Sequence, residues 1–349
     1  MKKHLLIFCL LFCCITNAQV TDVITGLGQP TGIVLNGNDL YIGEIDFGRI
    51  SKIDITDSNP VLEEIVYGAS SGGAYLLLNG NDLYITAYGP NKISKIDISI
   101  PAPTLIDVIT GIENPTGMAL NGNILFFNSF SSSGTMYRID INENPPVTET
   151  IIIGLAYPGD LLLIGNDLYI AEFTAGKISK IDITDPNPVT VDVVGGLEGP
   201  LNLLLDGDFI YVTEFPGGSI KRFNYTESNP TATIVTSDVV SPNGLAINGT
   251  DLFISERTPG KISKFDLSTL DVPSFNASEA LVLFPNPSED HIYLKGISEA
   301  TAFTIISVTG QVISSGKTLS EEKINTEILD LGLYFIKLET GNVLRFIKK

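Results

Sequence analysis

Apolar and polar residues alternate in short runs along most of the chain, and no stretch repeats at the spacing of an amphipathic helix. The clearest run is GNDLYIAEFTAGKISKIDI, from Gly165 to Ile183. It reads as a strand over Asp167 to Ala171, a turn around Gly176 and a second strand over Lys177 to Ile183. The same phrase occurs as NGNDLYIGEIDFGRISKIDI from Asn36, NGNDLYITAYGPNKISKIDI from Asn79 and NGTDLFISERTPGKISKFDL from Asn248, with looser copies from Asn121 and Asp206. Equivalent apolar positions fall at Leu40, Leu83, Leu125, Leu168, Ile210 and Leu252, in steps of 43, 42, 43, 42 and 42 residues.

A fixed period of this length, carried by short strands, predicts a β-propeller with one blade per repeat. The first repeat divides into four strands: Gly32 to Leu35 lining a central channel, Asp39 to Gly43, Arg49 to Ile55, and Val61 to Val66 at the rim. Asn36-Gly37 supplies a hairpin turn, and Asp57 to Pro60 a loop that ends pairing. The chain opens with VTDVITG, residues 20–26, which matches the fourth strand IDVITG at 106–111, whereas the last repeat stops after its third strand, Lys261 to Leu267. The opening strand is therefore expected to complete the last blade and cover its open edge. The expected fold class is all-β: a six-bladed β-propeller over residues 19–270, closed by the N-terminal strand, a linker over 271–281 and a small C-terminal β-sandwich over 282–349.

The first 18 residues, MKKHLLIFCLLFCCITNA, have a basic start, an apolar run and small residues at Thr16 and Ala18. This is the pattern of a secretory signal peptide, with Gln19 as the expected mature N-terminus. The alternative is a lipoprotein anchored through Cys13 or Cys14, although Phe12 and Cys13 stand where that chemistry needs a small residue. All three cysteines, Cys9, Cys13 and Cys14, lie in this leader, so its removal excludes disulfides and thiolate chemistry from the rest. No other apolar run is long enough to span a bilayer, so no integral membrane protein is expected.

Charge narrows the partners. The chain carries 21 Lys+Arg against 40 Asp+Glu. Residues 19–281 hold 12 against 32, a difference of −20, and residues 282–349 hold 7 against 8, a difference of −1. Nucleic acid is excluded, because phosphate binding rests on clustered basic side chains. The two histidines are His4 and His291, so the repeats contain none, and acid–base work there would fall to Asp, Glu, Lys or Tyr.

Two recurrent polar positions are candidates for function. Just after the second strand of each repeat stand Glu44, Ala87, Ser129, Glu172, Glu214 and Glu256. These glutamates either accept hydrogen bonds from a neighbouring turn or form an acidic ring at one channel mouth. At the start of the first strand stand Thr31, Ala74, Thr116, Gly159, Leu201 and Asn243, with Asp160 and Asn202 one residue on. Carboxylate and amide oxygens facing one channel suit Ca²⁺ or another divalent cation. Tyr75, Asp160, Asn202, Arg257 and the serine-rich turn at 129–133 break the repeat symmetry.

The Pro-x-Gly openings at 30–32, 115–117 and 242–244, the LYI strand and the turn-Lys-Ile-x-Lys-Ile-Asp strand resemble the six-bladed propellers of the NHL and gluconolactonase-like superfamily. In its lactonases a divalent metal is held by Glu, Asn and Asp side chains. Only the Pro-Asn-Gly at 242–244 matches one of their ligand motifs, so the resemblance implies Asn243 as a ligand and no other; the polar positions of the repeats would add Asp160 and a mouth glutamate such as Glu172 or Glu214 near it. Streptogramin lyases of similar fold use a histidine, and paraoxonase-like enzymes a histidine pair; neither can operate in repeats without histidine.

Residues 282–349 read as alternating strands with a Pro-Asn-Pro turn. Phe284-Pro285-Asn286-Pro287, the Gly310 turn, Gly332-Leu333-Tyr334-Phe335 and the Phe346-Ile347-Lys348-Lys349 end resemble the C-terminal sorting domain of the type IX secretion system of Bacteroidota. That resemblance implies the secretion machinery as a partner, passage through the periplasm and outer membrane, and release or attachment at the cell surface. His291, on a predicted strand here, reads as an ordinary partly exposed residue. The combined expectation is a secreted or cell-surface binding propeller for a glycan or protein, with no catalytic residue assigned. The alternative is a metal-dependent hydrolase of the lactonase type.

Overall fold

The structure is a computed structural model that describes residues 20–69, 75–271, 281–297, 300–308, 310–339 and 342–349. The leader, Ala74, most of the expected linker, Thr309 and the Thr340-Gly341 turn lie outside the described residues. The chain divides into two compact units, residues 1–272 and 273–349.

The first unit is built from four-stranded antiparallel sheets, six of them among the described residues. Sheet one runs Pro30–Asn36, Asp39–Glu44, Arg49–Asp54 and Glu63–Tyr67. Sheets two to five repeat that order, beginning at Leu76–Asn79, Pro115–Asn121, Pro158–Ile164 and Pro200–Asp206. Sheet six takes Pro242–Asn248, Asp251–Glu256 and Lys261–Asp266 from the end of the repeats, and Thr21–Thr25 from the start of the chain. Thr21 faces Lys264 and Thr25 faces Lys261 in that pairing, and Lys261 Nζ reaches Asp22 at 2.6 Å. The edge of Lys261–Asp266 that would otherwise offer unpaired N–H and C=O groups is thus covered.

Alternation explains the packing. A strand sends successive side chains to opposite faces, and in Asp39–Glu44 both faces are buried because sheet one packs against sheet six on one side and sheet two on the other. Ile33, Leu40 and Ile42 of sheet one pack with Phe253 and Ile262 of sheet six, while Tyr41 and Ile50 pack with Leu83, Ile85 and Ile96 of sheet two. Comparable clusters join each later pair of successive sheets. Fourth strands are the exposed ones, with Val61 preceding the first of them and Ile106, Val191 and Ile234 standing on others.

The proline openings, Pro-x-Gly at 30–32, 115–117 and 242–244, Pro158-Gly159-Asp160 and Pro200-Leu201-Asn202, have a physical purpose. In five sheets the register between first and second strands slips just after the proline, a bulge that turns two residues out of the regular ladder. The glycines there let neighbouring first strands approach closely. A Cβ on Gly159 would lie 2.6 Å from the Leu201 carbonyl oxygen of sheet five, and one on Gly244 would lie 2.5 Å from that of Thr31 in sheet one.

The second unit contains two sheets: Val282–Phe284, His291–Lys295 and Ile324–Asn325 in one, and Val312–Thr318, Thr301–Ser307, Gly332–Leu338 and Val343–Lys348 in the other. They share one core around Ile292, Leu294, Ile305, Ile336 and Phe346. The Pro-Asn-Pro turn is fastened to the last strand. Asn286 donates its side-chain amide to the Arg345 carbonyl at 3.3 Å and accepts the Ile347 N–H at 2.9 Å. Lys348 Nζ donates to the Glu289 carbonyl, and Tyr334 stacks on Phe346. Phe284 and His291 both lie against Tyr293.

Candidate functional site

The repeated glutamates act within their own sheets. Glu44, Glu172, Glu214 and Glu256 each accept the backbone N–H of the residue sixteen positions earlier: Gly28, Ala156, Glu198 and Val240, at 2.7 to 3.0 Å. Their remaining acceptor sites meet the third strand: Arg49 and Ser51 for Glu44, Ser179 for Glu172, Ser219 and Lys221 for Glu214, and Ser263 and Lys261 for Glu256. Burial pushes the Glu44 and Glu214 carboxyls up, but these partners outweigh it and hold both below the usual value. Where the third repeat has serine, the Ser129 hydroxyl donates to the carbonyl sixteen residues back, Glu113, at 2.7 Å, and Ser131 and Ser133 extend the link.

The residue after each glutamate position leaves the sheet and is only half-buried: Ile45, Tyr88, Phe130, Phe173, Phe215 and Arg257. Five of these, from Tyr88 to Arg257, line a cavity of about 360 Å³ together with Thr31, Tyr75, Thr116, Leu201 and Asn243 from the starts of first strands. Phe130 is central to its wall. Its ring centroid lies 5.7 Å from Phe173, 5.3 Å from Tyr157 and 6.4 Å from Tyr88, with the rings edge-on or tilted. Edge-to-face packing of this kind presents ring faces as well as edges to the space they enclose. Arg257 sits 5.8 Å over Phe215 and donates Nε–H to the Gln29 side-chain oxygen at 3.0 Å.

Tyr75 bars the axis below these rings. It enters from sheet two and donates its hydroxyl to the Leu201 carbonyl of sheet five at 3.3 Å. The cavity is therefore a bowl and not a through channel at this level. Burial, with the nearby Asp160 charge, pushes the Tyr75 phenol well above its usual pKa.

A polar belt links the first strands around the bowl. Asp160 of sheet four accepts Asn202 Nδ2 at 2.6 Å and the N–H groups of Leu203 and Leu161. Asn202 of sheet five in turn accepts the N–H of Leu245 in sheet six at 3.0 Å. Sheet six closes the belt on sheet one through the Ser255 hydroxyl, which donates to the Thr31 carbonyl at 2.5 Å. Asp160 is 8% exposed, and burial raises its pKa from 3.8 to about 7.

The sequence-derived donors are thus dispersed. Glu172 and Glu214 spend their oxygens inside their own sheets, Asp160 is held in the belt, and Asn243 lines the bowl. Among the described residues no three His, Cys, Asp or Glu side chains are grouped to hold a metal ion. This donor set does not fit a metal centre as it stands. Polar positions alone do not point to the aromatic wall, whose signal in the sequence is one repeat position held by Tyr88, Phe130, Phe173 and Phe215 in consecutive repeats.

Residues 282–349 match the family model described as the Secretion system C-terminal sorting domain. That match marks the protein for export to the cell surface or for secretion. No helix among the described residues is long and apolar enough to cross a membrane. No curated protein matches the chain. Among solved structures it is similar to an auxiliary nutrient binding protein from Bacteroides thetaiotaomicron, at 14% identity and a TM-score of 0.58, covering 70% of this chain and 75% of that one. It is also similar to regucalcin, a calcium-binding protein from Agrobacterium tumefaciens, at 8% identity and a TM-score of 0.56, covering 71% and 93%. A streptogramin B lyase is similar at 15% identity and a TM-score of 0.52, covering 72% and 87%. At these identities the likeness is one of fold: all-β and propeller-like.

Proposed function

We propose that the protein is an exported binding propeller that receives a small ligand in the aromatic bowl. In this reading residues 1–18 are a signal peptide, and the six sheets over 19–270 form a six-bladed ring closed by the N-terminal strand. Residues 271–281 are the linker. The two sheets of 282–349 form a sandwich that engages the type IX secretion machinery and delivers the propeller to the outer surface or the medium.

One observation carries the binding role: the Tyr75–Leu201 hydrogen bond blocks the axis beneath four aromatic rings, leaving a blind, mostly apolar cavity of about 360 Å³. Pockets that bind small molecules combine apolar walls with a few fixed polar groups, and this volume is at the lower end of their usual range. The lining contains no carboxylate, imidazole or lysine, and of its two tyrosines Tyr75 has its hydroxyl engaged by Leu201 and its pKa pushed well above the usual value by burial, which favours recognition over acid–base catalysis.

The test is thermal unfolding of the purified protein against a library of small glycans, organic acids and nutrients, run in parallel on Phe130→Ala. A ligand at about 100 times its dissociation constant stabilises the folded state by roughly 2.7 kcal/mol. The reading expects hits that raise the wild-type midpoint and are lost in the variant. Hits indifferent to Phe130→Ala would place recognition on another surface.

A further inference from the structure

Resting on the reading of the bowl as a ligand site, we infer that its ligand is a ring-bearing carboxylate: a flat apolar or sugar ring lies among the aromatics, and its carboxylate pairs with Arg257.

Arg257 occupies the equivalent position to Tyr88, Phe130, Phe173 and Phe215, so one aromatic wall position has been exchanged for a cation. The other cations close to the repeated glutamates are already engaged. Arg49 pairs with Glu44 and Glu64, Lys177 with Glu172 and Asp192, Lys221 with Glu214, and Lys261 with Glu256 and Asp22. Arg257 has no carboxylate partner among the described residues. Its Nε–H is donated to Gln29 and its guanidinium carbon lies 5.8 Å from the Phe215 ring centroid, contacts that restrain the side chain, while neither terminal amino group has a hydrogen bond or ion pair among the described residues. A planar fork held in this way matches a carboxylate in bidentate geometry.

A second group points to the same conclusion. Asn243 lines the bowl and is only 6% exposed, yet its carboxamide makes no hydrogen bond among the described residues; only its backbone carbonyl is used, by the Thr213 hydroxyl. The amide atoms are not sealed off but open onto the cavity, where they are free to meet a ligand or water. The bowl therefore offers an amide without a side-chain hydrogen bond and a guanidinium whose two terminal amino groups are unengaged, within an aromatic wall. The matching ligand has a ring for stacking and oxygens for both groups.

Aromatic acids and uronic acids share this chemistry, and paired probes separate them. Calorimetry on the full protein would compare 3-phenylpropionate with 3-phenylpropionamide, and glucuronate with glucose. A charge-assisted bidentate contact predicts a preference for acid over neutral partner of roughly tenfold to a hundredfold in at least one pair. In Arg257→Gln that preference should collapse towards unity while affinity for the neutral partner is retained. Circular dichroism and unchanged binding of the neutral partner would confirm that the variant is folded. Arg257→Lys should restore only part of the preference, because an ammonium lacks the fork. Phe130→Leu should weaken acid and neutral partner alike.

Equal affinity within both pairs, or a preference that survives Arg257→Gln, would overturn the inference. If no carboxylate binds but a neutral compound binds the bowl and is lost in Phe130→Ala, the binding role stands and the carboxylate assignment fails. If nothing binds in a manner sensitive to Phe130, both fail.

Discussion

Asp160→Asn isolates the one carboxyl in the polar belt and should reverse a pH trend in stability. In the folded protein Asp160 takes up its proton with a pKa of about 7 because it is buried, against 3.8 when exposed. Between about pH 4 and pH 7 the folded state therefore binds a proton that the unfolded state has released. Stability is then greatest at the acid end of that window and falls as pH rises through it. A displacement of this size is worth on the order of 4 kcal/mol across the window. The variant keeps the shape but does not titrate. It loses one acceptor, since its amide nitrogen must face either Asn202 Nδ2 or a backbone N–H; that costs about 1 kcal/mol. Wild type should then be the more stable protein near pH 4, and Asp160→Asn the more stable by about 3 kcal/mol at pH 8, with the curves crossing at about pH 4.5. Urea unfolding of both proteins at several pH values measures this directly. Parallel curves from pH 4 to 8 would refute the assignment of Asp160 as a buried carboxyl without a cationic partner.

Further outcomes follow from other contacts. Glu44→Gln removes the charge facing Arg49 in a pair whose carboxylate is fully buried, and should lower stability by roughly 3 kcal/mol in chemical denaturation at pH 7. Because Glu44 and Glu214 titrate below their usual 4.5 in the folded state, the stability they add is present above that pH and is lost as pH falls through their folded values; the acid limb of the wild-type profile should flatten in Glu44→Gln. Tyr75→Phe should cost about 1 kcal/mol and leave the bowl closed, whereas Tyr75→Ala should open the axis and weaken any bowl ligand at least tenfold by calorimetry. Deleting residues 20–25 exposes the edge of Lys261–Asp266 and should produce concentration-dependent aggregation in light scattering. Chelation followed by added Ca²⁺ should leave the unfolding midpoint unchanged; a rise abolished by Asn243→Ala would instead support a metal-dependent site.

The strands were legible because their chemistry is local. Alternation in DLYIGE and the turn residues around Gly37 mark where pairing starts and stops, and the chain's first strand declared its role by matching residues 106–111. The Pro-x-Gly openings were visible, but the bulge they encode depends on how closely a neighbouring first strand packs, as Gly244 does on Thr31. The glutamates left two readings open, since their partners are an N–H sixteen residues back and side chains on the third strand, brought together only by the sheet. Tyr75 stood out as a break in the repeat, but its reach to Leu201 requires sheets two and five to face one another. The aromatic wall lies where the chain leaves the second strand, so alternation no longer says which way a side chain points.

A crystallographic fragment screen of the full protein tests the binding role most directly. The account predicts that small ring-bearing fragments concentrate in the bowl, in contact with Phe130 and Phe173 and with their acidic groups towards Arg257. Fragments gathered on the outer strands or elsewhere, with the bowl empty, would contradict it.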